Sequence, residues 1–157
     1  MKTLLNYSTL LLLLLMASCS SLKTTPEYMQ EITQKVHSKD FTVVVKYANP
    51  MRGRQIYLNS EYDLRIKNDS AFAFLPYFGV AYTVPYGGDS GIKFAEPMTN
   101  YTLSNNKKGN GWDVHFKIKS NDSDYEIIMN IFNTGSSTFT VDSINKDAIT
   151  FSGDLKK

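Results

Sequence analysis

Trp112-Asp113-Val114-His115-Phe116-Lys117-Ile118-Lys119 alternates apolar and polar residues without a break. Side chains of an extended chain point to opposite faces in turn. Such a stretch is therefore a strand with one face buried and one face wet. The same period of two recurs on both sides of it. Upstream it appears in Phe41, Val43, Val45 and Tyr47, and in Tyr62, Leu64 and Ile66. Downstream it appears in Tyr125, Ile127, Met129 and Ile131, then Phe139 and Val141, then Ile149 and Phe151. Clusters of turn-forming residues separate these runs: Asn49-Pro50, Asn68-Asp69, Gly87-Gly88-Asp89, Asn105 to Gly111, Asn121-Asp122, Thr134-Gly135 and Asn145-Lys146-Asp147. Connections this short leave no room for crossover helices. The strands are expected to be antiparallel neighbours in a meander. The predicted fold is mainly β (α+β): about eight antiparallel strands in a barrel-like or sandwich sheet, with one short N-terminal helix.

That helix is predicted over residues 27–38. Thr25 suits the cap, Pro26 the first helical position and Glu27 the positive end, while Tyr28, Ile32 and Val36 recur every four residues. Before it lie Lys2, an apolar run from Leu10 to Met16, and the small pair Ala17-Ser18 ahead of Cys19. A charged start, a short apolar core and a small-residue site are the parts of a secretory signal. The run is too short to span a bilayer. Residues 1–18 are read as a lipoprotein signal peptide, and residues 19–26 as a lipidated Cys19 with a polar tether. Residues 27–157 are one globular domain with its β part over 41–154. Cys19 is the sole cysteine, so no internal disulfide is possible. Palmitate-type acyl chains on its sulfur and amine would anchor the protein to a membrane. By resemblance to the sorting rules of such lipoproteins, Ser20 and the lack of an acidic run after it point to the outer membrane, facing the periplasm, with the cell surface as the alternative.

The chain carries 17 Lys and Arg against 15 Asp and Glu, a formal net charge of +2. Interspersed, nearly balanced charge gives no footprint for nucleic acid. Arg52-Gly53-Arg54 and Lys107-Lys108 fall in predicted turns and read as solvated loop charges.

Residues 71–101 break the pattern. They hold eight of the 19 Phe and Tyr residues, with Pro76 and Pro85 interrupting any central strand. The segment is read as a long aromatic loop. Such a loop folds back over one end of the sheet or presents a binding surface. Tyr77, Phe78, Tyr82 and Tyr86 are the candidate ligand-binding residues, since a tyrosine offers a flat apolar face and a polar tip to sugars or peptides. Rings that merely plug the barrel are the simpler outcome. Phe72 and Phe74, which alternate ahead of Pro76, are expected in the core.

Leu75-Pro76-Tyr77-Phe78-Gly79-Val80-Ala81-Tyr82 resembles the central signature of a family of Bacteroidetes lipoproteins, domain of unknown function 4251. Gly53-Arg54, Tyr62 to Ile66, Gly91 to Phe94, the strand from Gly111 and Ile149 to Gly153 resemble its flanks. The resemblance runs from Phe41 to Asp154. It departs at Val80, where many members carry Arg, so a polar role there is not carried over. It implies an envelope lipoprotein setting and a single domain, and no activity.

Other motifs have bland readings. His115 sits on the polar face of its strand, and His37 at the helix end, where the dipole favours it. With Cys19 committed to lipid, no nucleophile and base are apparent. Asp63, Asp69 and Asp89 show no acid/base pairing. Asn121-Asp122-Ser123-Asp124 lacks the length and final Glu of a calcium loop. No cofactor, metal or catalytic residue is expected. Asp69-Ser70-Ala71 and Asp142-Ser143-Ile144 resemble the O-glycosylation signal of Bacteroidetes secreted proteins, making Ser70 and Ser143 candidate sites. The expected function is a non-catalytic binding module showing its aromatic loop to a glycan, peptide or envelope protein. The alternatives are an envelope-assembly role in which the loop only closes the fold, and a carboxylate-dependent hydrolase.

Overall fold

The computed structural model describes residues 25–82, 91–121 and 123–156. Helix α1 covers Pro26–His37, and eight strands follow: β1 Asp40–Pro50, β2 Ile56–Lys67, β3 Ser70–Leu75, β4 Ile92–Asn105, β5 Gly111–Lys119, β6 Asp124–Phe132, β7 Ser136–Ser143 and β8 Lys146–Leu155. Each strand pairs antiparallel with the next, and β8 pairs back onto β1, closing a barrel. Closure removes the sheet edges that a sandwich would have to protect. Cys19 and Tyr86 lie outside the described residues.

The barrel interior is the core. Phe94, Phe116, Tyr125, Phe139 and Phe151 project inward with the aliphatic residues of the alternating runs. Phe94 meets Tyr125, and Phe139 meets Phe151, at ring-centroid separations of 5.4 Å. The outer wall is polar: Thr99, Lys117, Glu126 and Asp142 stand in one cross-strand row over β4 to β7. Transmembrane barrels show the reverse pattern, apolar outside and polar inside. At the β8–β1 seam the backbones approach so closely that a Cβ on Gly153 would overlap the carbonyl of Val44.

Two expectations need correcting. The segment 71–101 is not one loop, because Ser70–Leu75 and Ile92–Asn105 are paired strands. Pro76 ends β3, and Pro97 is accommodated opposite Ser70, the first residue of β3. Phe72 and Phe74 are also not core. In β3 the inward residues are Ala71, Ala73 and Leu75, and Phe74 is 48% exposed. Ala73 sits directly across from Phe94. Rings from other strands already fill a narrow eight-stranded interior, so β3 fits only with its small residues inward.

The two ends of the barrel are finished differently. Helix α1 caps the end where β1 begins. Thr25 accepts the capping hydrogen bond from the amide of Tyr28, and Ile32 and Val36 are buried against the barrel. Tyr28 lies over Gly135 in the β6–β7 turn, and His37 meets Trp112 edge to face at 6.2 Å. Lys35 Nζ donates to the carbonyl of Lys156 at 3.1 Å. The other end, the mouth, is ringed by residues 51–55, 76–82, 120–121 and 144–145, described parts of the connections there.

Candidate functional site

Residues 76–82 run from the end of β3 across the mouth to the β7–β8 hairpin as a strap. Ala81 forms a bridge with Lys146. The amide of Tyr82 donates to the carbonyl of Asn145 at 2.8 Å, and the amide of Asp147 donates to the carbonyl of Val80 at 3.0 Å. These backbone bonds fix the strap to an element about 65 residues later in the chain.

Two tyrosine hydroxyls reinforce them. Tyr77 Oη lies 2.8 Å from the carbonyl of Val80 and 3.0 Å from that of Asp147, sharing its proton between them. Burial is the main reason its hydroxyl titrates above the ordinary range, and the nearby Asp147 charge adds to it. Gly79 makes this geometry possible, since a Cβ there would collide with the Tyr77 hydroxyl. Tyr82 donates its hydroxyl to Asp147 Oδ1. That hydrogen bond, and then the carboxylate's charge, raise the pKa of Tyr82 above 10.0. Asp147 itself is only 8% exposed. Its neighbour Lys146 reaches back along the strap, with Nζ 5.5 Å from the centre of the Tyr77 ring and 3.3 Å from the carbonyl of Gly91.

The structure thus separates the sequence-derived candidates. Tyr77 is half-buried and structural. Phe78 is 43% exposed and Tyr82 is 65% exposed, with the Tyr82 hydroxyl held and its ring presented. Asp147 and Lys146, which sequence reasoning placed in a turn, begin β8 and bind the strap. The Asn-Lys-Asp string reads as turn chemistry, and no local signal reveals partners 65 and 70 residues away.

Elsewhere, His115 Nε2 lies 2.6 Å from Glu126 Oε1 on the outer wall, and Lys117 Nζ is 3.4 Å from the other oxygen. Hydrogen bonding from His115 is the leading cause holding the Glu126 carboxyl below its ordinary range. Among the described residues, no hydroxyl hydrogen-bonds to His115. A groove of about 700 Å³ beside it is lined by Lys117, Lys119, Asp124, Glu126 and Asp142, whose opposite charges are interspersed. Among the described residues, no cluster of three His, Cys, Asp or Glu side chains is placed to hold a metal ion. Ser70 is half-buried at the start of β3, not within the preceding turn. The hydroxyl of Ser143 is buried without a hydrogen-bond partner, so attaching a sugar would require it to turn outward.

Comparison with known proteins agrees with this architecture. A family model described as a domain of unknown function (DUF4251) matches residues 23–155. No curated protein matches the chain. The crystal structure of a DUF4251 family protein from Bacteroides eggerthii DSM 20697 superposes with a TM-score of 0.62. The superposition covers 82% of this chain and 86% of that one at 17% sequence identity, a likeness of fold. With its family match running from the start of the helix region to the last strand, the chain belongs to the DUF4251 family.

Proposed function

We propose that the protein is a lipid-anchored envelope protein of the outer membrane, facing the periplasm, and a non-catalytic binding module. Its strap offers Phe78 and Tyr82 to a glycan, peptide or protein partner. The observation that carries this reading is the division of the strap. Tyr77 and Gly79 hold it down, while Phe78, Val80 and Tyr82 remain exposed on a fixed backbone. A segment that served only to close the barrel would bury its large side chains, whereas pre-ordered exposed rings lose little entropy on binding. The closing role has its own support in the double hydrogen bond of Tyr77, so the inner half of the strap completes the fold.

The test uses the mature domain against envelope glycans and peptides, comparing wild type with Phe78→Ser and Tyr82→Ala. Loss of binding is expected in both, with an unchanged unfolding midpoint in Phe78→Ser and a lowered one in Tyr82→Ala, which gives up its hydrogen bond to Asp147; unchanged binding removes this reading. Anchoring is checked by palmitate labelling, which should disappear in Cys19→Ala.

A further inference from the structure

The strap is only part of what the mouth displays. Three of the connections there carry exposed apolar side chains: Met51 on the first turn, Phe78 and Val80 on the strap, and Ile144, 82% exposed, on the last hairpin. Tyr47 and Tyr57 stand on the strand ends beside Met51, edge to face at 5.5 Å. Of the nine large hydrophobic residues exposed among those described, only Ile128 lies away from this end. Scattered apolar side chains are ordinary on a protein surface, but a set gathered at one end marks an interaction site.

Charge narrows the partner. Arg52 and Arg54 are exposed on the same turn as Met51, with Gly53 between them at φ 116°. Neither forms an ion pair among the described residues. Arg52 is close enough to Tyr82 for its charge to favour the phenolate. Tyrosine, phenylalanine, methionine and arginine together are the residues enriched where proteins meet. A glycan would use the ring faces and neutral hydrogen-bonding groups, leaving Met51 and Ile144 without a role.

Reach argues against the protein's own bilayer. If Cys19 is the anchor, the seven residues 19–25 extend at most about 25 Å. They lead to α1, at the end opposite the mouth. Strands of about ten residues tilted by ~40° make a barrel roughly 25 Å tall, and the helix adds ~10 Å. The tether is too short to let the mouth settle on the membrane that holds it.

We infer that the mouth is a protein-docking surface, built from Met51, Arg52, Phe78, Val80, Tyr82 and Ile144. Its partner presents an apolar patch edged with carboxylates and stands away from the anchoring bilayer. This rests on the binding-module reading and narrows it to one class of partner.

A photoreactive amino acid placed at Met51, Val80 or Ile144 of the full chain, in its native host, tests it. Gln30 on the exposed side of α1 is the reference position. One and the same polypeptide, identified by mass, should be trapped from all three mouth positions and not from Gln30. Joint Arg52→Glu and Arg54→Glu changes should cut its yield about tenfold or more, as expected for reversing charges at a complementary interface. The identified partner, purified, should bind the mature domain with the same charge dependence. Different polypeptides at each position, equal trapping at Gln30, or adducts only to lipid overturn the inference. Glycan adducts with Tyr82-dependent binding overturn it while leaving the binding-module reading intact. No adduct from a folded variant, together with no binding in the glycan and peptide test, overturns both.

Discussion

The two ends of this barrel meet the same physical need in different ways. An eight-stranded barrel has a core open at both ends, and something must cover each. At one end α1 does so with Ile32 and Val36 buried, Tyr28 lying over Gly135 and His37 meeting Trp112. At the other, a seven-residue strap does so through backbone bonds, two tyrosine hydroxyls and the half-buried Tyr77 ring, while Phe78, Val80 and Tyr82 stay outside. A cover held by polar contacts leaves its rings free, whereas a cover held by apolar packing uses them up. This contrast is the ground for the proposal that the mouth is the docking surface, while the packed helix covers the other end of the core.

Substitutions can break or sharpen that contrast. The largest effect is expected for Ile32→Ala, which leaves a cavity under α1. Urea denaturation should show a loss of about 3 kcal/mol at unchanged slope. Tyr77→Phe should cost about 1 kcal/mol, the usual net contribution of a hydrogen bond, since the carbonyl of Val80 keeps the amide of Asp147 as a donor. Hydrogen exchange at the amides of Tyr82 and Asp147 should quicken in the same variant, because those amides hold the strap. Phe78→Ser should change stability by less than ~0.5 kcal/mol, as for a surface position. A loss comparable to that of Ile32→Ala would mean that the outer half of the strap belongs to the core.

The smallest effects concern pH. Tyr82 has a raised folded pKa, so its contribution is fully present below pH 10 and is lost as pH rises through the raised value. Alkaline titration of strap-amide exchange should show opening at the mouth before α1 loosens, and Tyr82→Phe should flatten that limb. Glu126 behaves in the opposite sense. Its pKa is depressed, chiefly by His115, so its contribution holds above the ordinary carboxylate range and fades as pH falls through the depressed value. His115→Ala should slightly weaken the acid dependence of stability, with no change at the mouth.

Much of the fold was legible because burial imposes a period. The runs from Phe41, Tyr62, Trp112, Tyr125, Phe139 and Ile149 each have one strongly apolar phase, and each became a strand with that phase inward, except that a bulge after Val45 turns Tyr47 outward and puts Ala48 inside. Thr25-Pro26-Glu27 likewise marked the helix start to within one residue. Ala71 to Leu75 was harder, because Ala-Phe-Ala-Phe offers two apolar phases. Only the volume already occupied by Phe94 and its neighbours decides between them, and that information is not local. The strap was harder still. Leu-Pro-Tyr-Phe-Gly was recognisable as a signature, but its Tyr and Gly serve a fold contact with β8. Asp147, the residue that receives Tyr82, gave no signal of its own. Met51, Arg52 and Ile144 joined the candidate surface only once the meander had closed and brought three turns to one end.

Hydroxyl-radical footprinting of the protein in intact native cells and as the purified mature domain tests the central claim most directly. Met51, Val80, Tyr82 and Ile144 should be oxidised readily in the isolated domain and protected in the cell, while Met29 on α1 should react alike in both. Equal oxidation of the mouth residues in both settings would mean that nothing occupies them, and would contradict the assignment of this end as the working surface.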